Sequence, residues 1–247
     1  MTNMNPKISI ITICYNAEQL IERTIKSVVE QNYENYEYII IDGLSKDRTL
    51  DIVNKYKMQI DVVVSEKDNG ISDAFNKGIT QATGDLICFL NTGDYFLNTD
   101  VLSNVASDWE KNPVDVLFYI MQVGELGYTP PKYYHDNAVK IWENMDIPHQ
   151  ACFCTKNLFN IVGNFDTDLK LRMDYDFFAR CVKAGRTYRY IPKVISFYDD
   201  NGVTSNFKNK LSFKQEGIAV KKKYKFRITL KDYLSLLKWK ILSHIKG

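Results

Sequence analysis

Four times in its first 91 residues this chain runs through a short, β-branched apolar stretch and breaks off in a polar loop. The stretches are Lys7–Cys14 (KISIITIC), Tyr36–Asp42 (YEYIIID), Ile60–Glu66 (IDVVVSE) and Asp85–Asn91 (DLICFLN). Near-continuous apolar runs of this length are the mark of strands buried on both faces. Between them lie segments at helical spacing. Ala17–Gln31 carries Leu20, Ile21, Ile25, Val28 and Val29 on one side; Lys46–Tyr56 has Ser45 as its cap; Ile71–Ala82 is the third. Strand, polar loop, helix and strand make a βαβ unit, and repeated units make a parallel sheet flanked by helices. Ligands bind such sheets at the carboxyl ends of the strands.

After Pro113 the rhythm loosens. Val114–Met121 reads as a strand, and Gly124–Asn144, with Pro130 and Pro131, as irregular chain or a short hairpin. Thr155–Val162 and Asp174–Ala184 read as helices, Thr187–Ile191 and Val194–Tyr198 as short strands, and Asn209–Tyr224 and Leu230–Ile245 as helices. A chain of 247 residues accommodates one large α/β domain with a small appendage.

Formal net charge is +2, but residues 221–247 hold nine Lys/Arg against one Asp, which leaves the rest of the chain at −6. An acidic body with a basic tail points to a partner for the tail. Nucleic acid is disfavoured, because the body is acidic and no recognition motif occurs. The tail helix carries Leu230, Leu234, Leu237, Ile241 and Ile245 on one face, with Lys231 and Lys238 expected on the other, and Trp239 nearby. It is expected either to pack on the domain or to lie on an anionic membrane surface. No apolar run approaches the roughly 20 residues needed to span a bilayer, and the start MTNMNPK is too polar for a secretory leader. The expected location is cytoplasmic, peripheral on the inner face of the cell membrane if the tail binds lipid. The five cysteines are odd in number and lack zinc spacing; Cys152 and Cys154 would share one face of a strand, and all five are expected as buried free thiols.

Four polar clusters close the four strands: Tyr15-Asn16, Asp42-Gly43, Glu66-Lys67-Asp68-Asn69-Gly70 and Asn91-Thr92-Gly93-Asp94. A parallel sheet brings them to one edge. A carboxylate there accepts a hydrogen bond from a base or ribose, whereas a carboxylate beside a diphosphate needs a cation between them. One such edge can hold base, ribose, divalent metal and diphosphate.

The run PKISIITICYNAEQLIERTIKSVVEQNYENYEYIIIDGLSKDRT, followed by EKDNGISDAFNKGITQATGDLICFLNTGDYF, resembles the opening of family-two glycosyltransferases. The resemblance is strong over about residues 6–97 and continues through IPHQACF and LRMDYDFFAR to about residue 205. It implies a GT-A, Rossmann-like, mostly parallel α/β sheet and an inverting transfer of sugar from a nucleotide-diphosphate donor, UDP-linked by expectation. The acceptor would be a glycan or lipid-linked glycan of a bacterial surface-polysaccharide pathway. By the same resemblance Thr12, Tyr15 and Asn16 line the nucleotide pocket, Asp42 reads the base, and Asp68 and Asn91 contact the nucleotide. Asn91-Thr92-Gly93-Asp94 stands where the family has its D-x-D metal motif, in the L-N-x-G-D form of a subgroup. Asp94 is thereby the ligand of Mn²⁺ or Mg²⁺. Asp174 matches the catalytic base, with Met173 where the family has Glu. Asp73 and His149 are expected at the donor sugar or acceptor, and Gly202-Val203-Thr204-Ser205 resembles a late loop over the donor phosphates. The implied division is a catalytic domain over 1–205, with a nucleotide half near 6–121 and an acceptor half near 122–205, then a basic helical extension over 206–247.

Each of these residues also has a structural reading. Asp42-Gly43 and Gly93-Asp94 are turn pairs. Asp174, Asp176, Ser72 and Asp73 suit helix starts, and His149 follows a proline as a structural histidine would. A sugar nucleotidyltransferase shares the layout, but it would carry a glycine-rich basic loop where this chain has Tyr15-Asn16-Ala17-Glu18. A glycosidase needs two carboxylates but no nucleotide-binding strand ends. A non-catalytic nucleotide-sugar-binding module is compatible with the departures at Asn91, Gly93 and Met173.

Overall fold

The computed structural model describes residues 5–124, 147–199 and 207–246. Nearly all of Gly124–Asn144, and the Gly202–Ser205 loop, lie outside them. The four expected strands form as β1 (Ile8–Cys14), β2 (Tyr36–Asp42), β3 (Val62–Ser65) and β4 (Leu86–Phe89). The intervening helices are α1 (Ile21–Val29), α2 (Thr49–Lys55) and α3 (Ile71–Gln81). Two elements went unread in the sequence: β5 (Tyr95–Phe96) and α4 (Val101–Lys111). The α4 signal is present, because Val101, Leu102, Val105 and Ala106 are buried at helical spacing. The chain continues as β6 (Val116–Val123), β7 (Cys152–Thr155), α5 (Lys156–Val162), α6 (Met173–Lys183), β8 (Tyr188–Tyr198), α7 (Lys210–Lys223) and α8 (Leu230–Lys246).

The eight strands make one sheet in the order β3-β2-β1-β4-β7-β6-β8-β5. The first four are mutually parallel, β7 runs antiparallel to both its neighbours, and β6 and β8 are parallel. The sheet is therefore parallel in the half that was legible and mixed as a whole. β1 pairs with β2 on one side and β4 on the other, so the strand order reverses there and a crevice opens beyond their carboxyl ends. β8 is a single strand where two were expected. Its register against β6 slips around Ile120, and Pro192, which cannot donate to a ladder, lies in the irregular stretch.

Alternate strand residues feed two cores. Ile10, Tyr38, Ile40, Leu86 and Cys88 join the layer of α1, α2 and α4, while Ile11, Ile39, Ile41, Ile87 and Phe89 join that of α3, α5 and α6. All five cysteines are buried and free. At the amino end of the sheet Glu37 is buried among Ser9, Thr83 and Lys7. Burial alone would raise its carboxyl, but those hydrogen bonds pull it down to about 2.

The tail is built onto this body. Val220 of α7 packs with Tyr175 and Ala179 of α6, and Lys221 of α7 clasps Asp232 of α8 at 3.0 Å. Trp239 faces Phe207 with ring centroids 5.2 Å apart. At 100° per residue Lys231 and Lys238 border the leucine stripe rather than oppose it.

Candidate active site

The loops that close β1, β2 and β4 are tied to one another before any ligand is considered. Asn16 adopts φ +47°, accepts the Lys46 N–H at 2.8 Å and donates its own N–H to Ser45 at 2.9 Å. Thr24 of α1 accepts the Gly93 N–H at 3.0 Å and donates to the Asp94 carbonyl at 2.8 Å. Arg23 donates to the Gly93 carbonyl at 2.7 Å. Gly93 has φ +97°, a conformation that favours glycine, and a Cβ there would crowd Asp199 at 3.2 Å.

These loops wall a cleft of ≈ 660 Å³. Of the ten sequence-derived residues, Tyr15, Asn16, Asp68, Asn91, Asp94, His149 and Asp174 line it. Thr12, Asp42 and Asp73 are not among its lining residues. Thr12 is fully buried; its hydroxyl donates to the Leu90 carbonyl at 2.7 Å and accepts from Tyr38 at 3.1 Å. Asp42 is likewise buried, its carboxylate taken up by the Ser45 N–H and hydroxyl and by Ser65 at 2.6 Å. Asp73 accepts the Asn69 N–H at 2.9 Å and faces Lys77 at 3.5 Å, the helix-start reading of that residue. These three side chains hold the walls. Gly43 brings the second strand end to the cleft instead: a Cβ on it would lie 2.9 Å from Asp68 Oδ2 and 3.4 Å from the Tyr15 ring. Asp68 Oδ1 is held by Lys77 at 2.7 Å.

The two halves of the chain meet across the cleft. Asn91 Nδ2 lies 3.2 Å from His149 Nε2, and His149 Nδ1 lies 3.7 Å from Asp174 Oδ2. With Asn91 donating, the ring carries its proton on Nδ1, facing Asp174. Asp176, two residues on, is buried away from the cleft on Arg180, Lys223 and Tyr224. Asp94 is 2% exposed and accepts the Asp199 N–H at 2.9 Å. Burial pushes its carboxyl up to about 7, against the Asp199 bond and the neighbouring His149 and Gln150. Sequence reasoning placed Lys67 in a strand-end cluster without a role of its own and missed Gln150, Lys170 and Asp199, all of which also line the cleft. The acid pair Asp199-Asp200 ending a strand was the available signal for the last of these.

The family model described as Glycosyl transferase family 2 matches residues 9–168. The chain belongs to this family. A "PGL/p-HBAD biosynthesis glycosyltransferase" of Mycobacterium bovis (strain BCG / Pasteur 1173P2) is 28% identical over 209 residues, 81% of this chain and 80% of that protein. The "Putative teichuronic acid biosynthesis glycosyltransferase TuaG" of Bacillus subtilis (strain 168) is 40% identical over 97 residues, 38% of each chain. Among solved structures, S. aureus TarS 1–349 matches with TM-score 0.68 at 22% identity, over 85% of this chain and 65% of that one. Its complex with UDP-GlcNAc gives 0.71 at 17%, over 94% and 79%. The mannosyltransferase PcManGT of Pyrobaculum calidifontis, with GDP-Man and Mn²⁺, gives 0.70 at 17%, over 98% and 70%. At these identities the likeness is one of fold, the GT-A type of α/β sheet.

For a family 2 glycosyltransferase the donor set of the cleft fits a hard divalent cation. Asp94 is a buried carboxylate short of positive charge, Asn91 Oδ1 is buried with no hydrogen-bond partner, and Asp199 stands beside them. No three acids, histidines or cysteines among the described residues group closely enough to hold a metal alone. A cation here would therefore need substrate phosphates to complete its coordination.

Proposed function

We propose that this glycosyltransferase moves a sugar from a UDP-sugar to a hydroxyl of a glycan or lipid-linked glycan, with inversion at the sugar carbon. The observation that carries the reading is the Asn91–His149–Asp174 line, which joins the strand-four loop bearing Asp94 to the helix bearing the base within one cleft. Asp174 accepts the proton of the acceptor hydroxyl as that oxygen attacks from the side opposite the leaving UDP, an assistance worth about 10²–10⁴-fold. His149 orients the carboxylate. Lys67 and Lys170 offset diphosphate charge. Asp94, with Asn91 and Asp199 adjoining, holds Mn²⁺ or Mg²⁺, which when bound neutralises charge on the leaving diphosphate. Tyr15, 60% exposed at the cleft mouth, offers its ring to the base, and Asn16 buttresses that wall. The base-reading carboxylate is Asp68, whose Oδ2 faces Gly43, in place of the sequestered Asp42.

The names of two relatives, in teichuronic acid and PGL/p-HBAD biosynthesis, support a cell-surface glycan or glycolipid acceptor. The TarS complex supports UDP, and PcManGT supports Mn²⁺. The test is a thermal-shift screen of nucleotides with Mn²⁺. UDP and one UDP-sugar should stabilise by about 2.7 kcal/mol at 100 times their Kd. GDP or CDP stabilising more than UDP would overturn the donor assignment.

We further propose that residues 221–247 dock the enzyme on the inner, anionic face of a membrane, where a lipid-linked acceptor resides. No helix among the described residues is long and apolar enough to cross one. Leu230, Leu234, Leu237 and Ile241 are 74, 57, 54 and 52% exposed, and Tyr233 is 49% exposed. Lys231, Lys238 and Lys240 border this stripe, while the helix's one acid, Asp232, is spent on Lys221 and Thr229. An apolar stripe between cations suits a lipid surface, and lysine is depleted at protein interfaces.

A further inference from the structure

Glu216 lies on α7, in the stretch expected to be an appendage, yet its carboxylate is spent on the residues that lead into the cleft. Leu171 and Arg172 donate their backbone N–H groups to Oε2 at 2.9 and 3.0 Å, and Lys170 donates to Oε1 at 3.4 Å. These are the last residues before α6, whose second residue is Asp174. The Arg172 N–H, at the N-cap, is one of the donors that find no partner within the helix, those of Leu171 and Lys170 lie just ahead of it, and an anion at this end is favoured by the helix dipole. Arg172 does not cap the helix with its own side chain.

The side chains of this entry segment divide between two tasks. Lys170, Leu171, Met173 and Asp174 line the cleft. Arg172 turns the other way, with its guanidinium 4.3 Å from the Phe213 ring centroid and 4.7 Å from that of Tyr175. A Cβ on Gly217 would already stand 3.5 Å from its Nε. Farther along, Asp176 takes Lys223 and the Tyr224 hydroxyl, each at 2.9 Å. Thus α7 grips α6 from beside through several side chains, but takes the backbone of its entry segment through Glu216.

We propose that Glu216 is a positioning residue for Asp174: it caps the catalytic helix from α7 and so fixes where the Asp174 carboxylate stands against His149 and the acceptor hydroxyl. The functional part of this inference rests on the reading of Asp174 as the base. Residues 210–223 then belong to the catalytic unit. N–H···O⁻ bonds are about twice as strong as neutral ones. A base must stand within about 2.6–3.2 Å of its proton, and a displacement of about 1 Å costs about 10²-fold in rate.

The test compares Glu216→Ala, Glu216→Gln, Asp174→Asn and, as a control, Asp232→Asn, which breaks the Lys221 clasp elsewhere on α7. The chain has three histidines, so the His149 ring is resolvable by ¹⁵N NMR and reports its carboxylate neighbour with no knowledge of the donor. In Glu216→Ala the His149 signals should move toward those of Asp174→Asn. UDP release from UDP-GlcNAc, or from the UDP-sugar a donor screen gives, should fall about 10²-fold, with UDP–Mn²⁺ affinity that of the parent. Glu216→Gln keeps one acceptor oxygen and the side-chain shape, so it serves where the alanine variant does not fold; it should move the same signals part-way. Asp232→Asn should leave signals and turnover unchanged. Parent-like His149 signals in both Glu216 variants would overturn the proposal, as would an equal shift in Asp232→Asn. If Asp174→Asn keeps full turnover while the Glu216 variants still move the His149 signals, the base reading falls and the positioning of that side chain stands.

Discussion

Asp94 should weaken the metal-free fold at neutral pH, and replacing it with Asn should strengthen it. The carboxyl keeps its proton up to about 7 in the folded chain, against an ordinary value of 3.8. The folded state therefore binds more protons than the unfolded one between those values, and stability falls as pH rises from about 4 to 7. That shift corresponds to about 4 kcal/mol at pH 8, of which less than about 2 kcal/mol already acts at pH 5. Asn keeps an acceptor for the Asp199 N–H and carries no charge to desolvate. For a chain of this size each kcal/mol moves the midpoint by about 2–4 °C, so the advantage of Asp94→Asn should widen by about 5–10 °C from pH 5 to pH 8. The assay is differential scanning fluorimetry of both proteins in EDTA across that range. UDP with Mn²⁺ should reverse the order at pH 8, because only the carboxylate gains a cation. A gap that is constant with pH, or that widens toward pH 5, would refute the argument that burial without a cation raises this group.

Asp68→Asn should weaken UDP binding by about tenfold, the loss of one charged hydrogen bond, while Thr12→Val should lower thermal stability and leave the UDP Kd unchanged; calorimetry of both variants checks the division between cleft and wall. Leu234→Glu with Leu237→Glu should abolish pelleting with anionic liposomes with little change in midpoint, since both side chains are more than half exposed, and parental binding should weaken with salt as exposed charges are screened beyond about 8 Å; salt-independent pelleting of the parent would count against the lipid surface.

The parallel half of the sheet was legible because strands buried on both faces write their burial as unbroken apolar runs, as in KISIITIC and YEYIIID. In the second half β6 and β7 were legible, but β5 has only two residues and went unread, and β8 passes through Pro192 and so read as two short strands. Strand-end chemistry was legible to the level of the loop but not of the atom. Asp42 and Asp68 are both acids after strands, yet Ser45 and Ser65 fold over one and Gly43 opens a face to the other. No spacing rule encodes that exchange. The meeting of Asn91, His149 and Asp174 across 83 residues of chain was beyond local pattern altogether, as was Glu216 capping a helix that begins 43 residues before it.

The most direct test of glycosyl transfer from this cleft is turnover in Asp174→Asn beside its affinity for UDP and Mn²⁺. The predicted result is a turnover lower by about 10²–10⁴-fold with nucleotide affinity close to that of the parent, since only proton acceptance is lost. Undiminished turnover, or a collapse of UDP affinity with turnover at saturation preserved, would contradict it and make Asp174 a structural or binding residue.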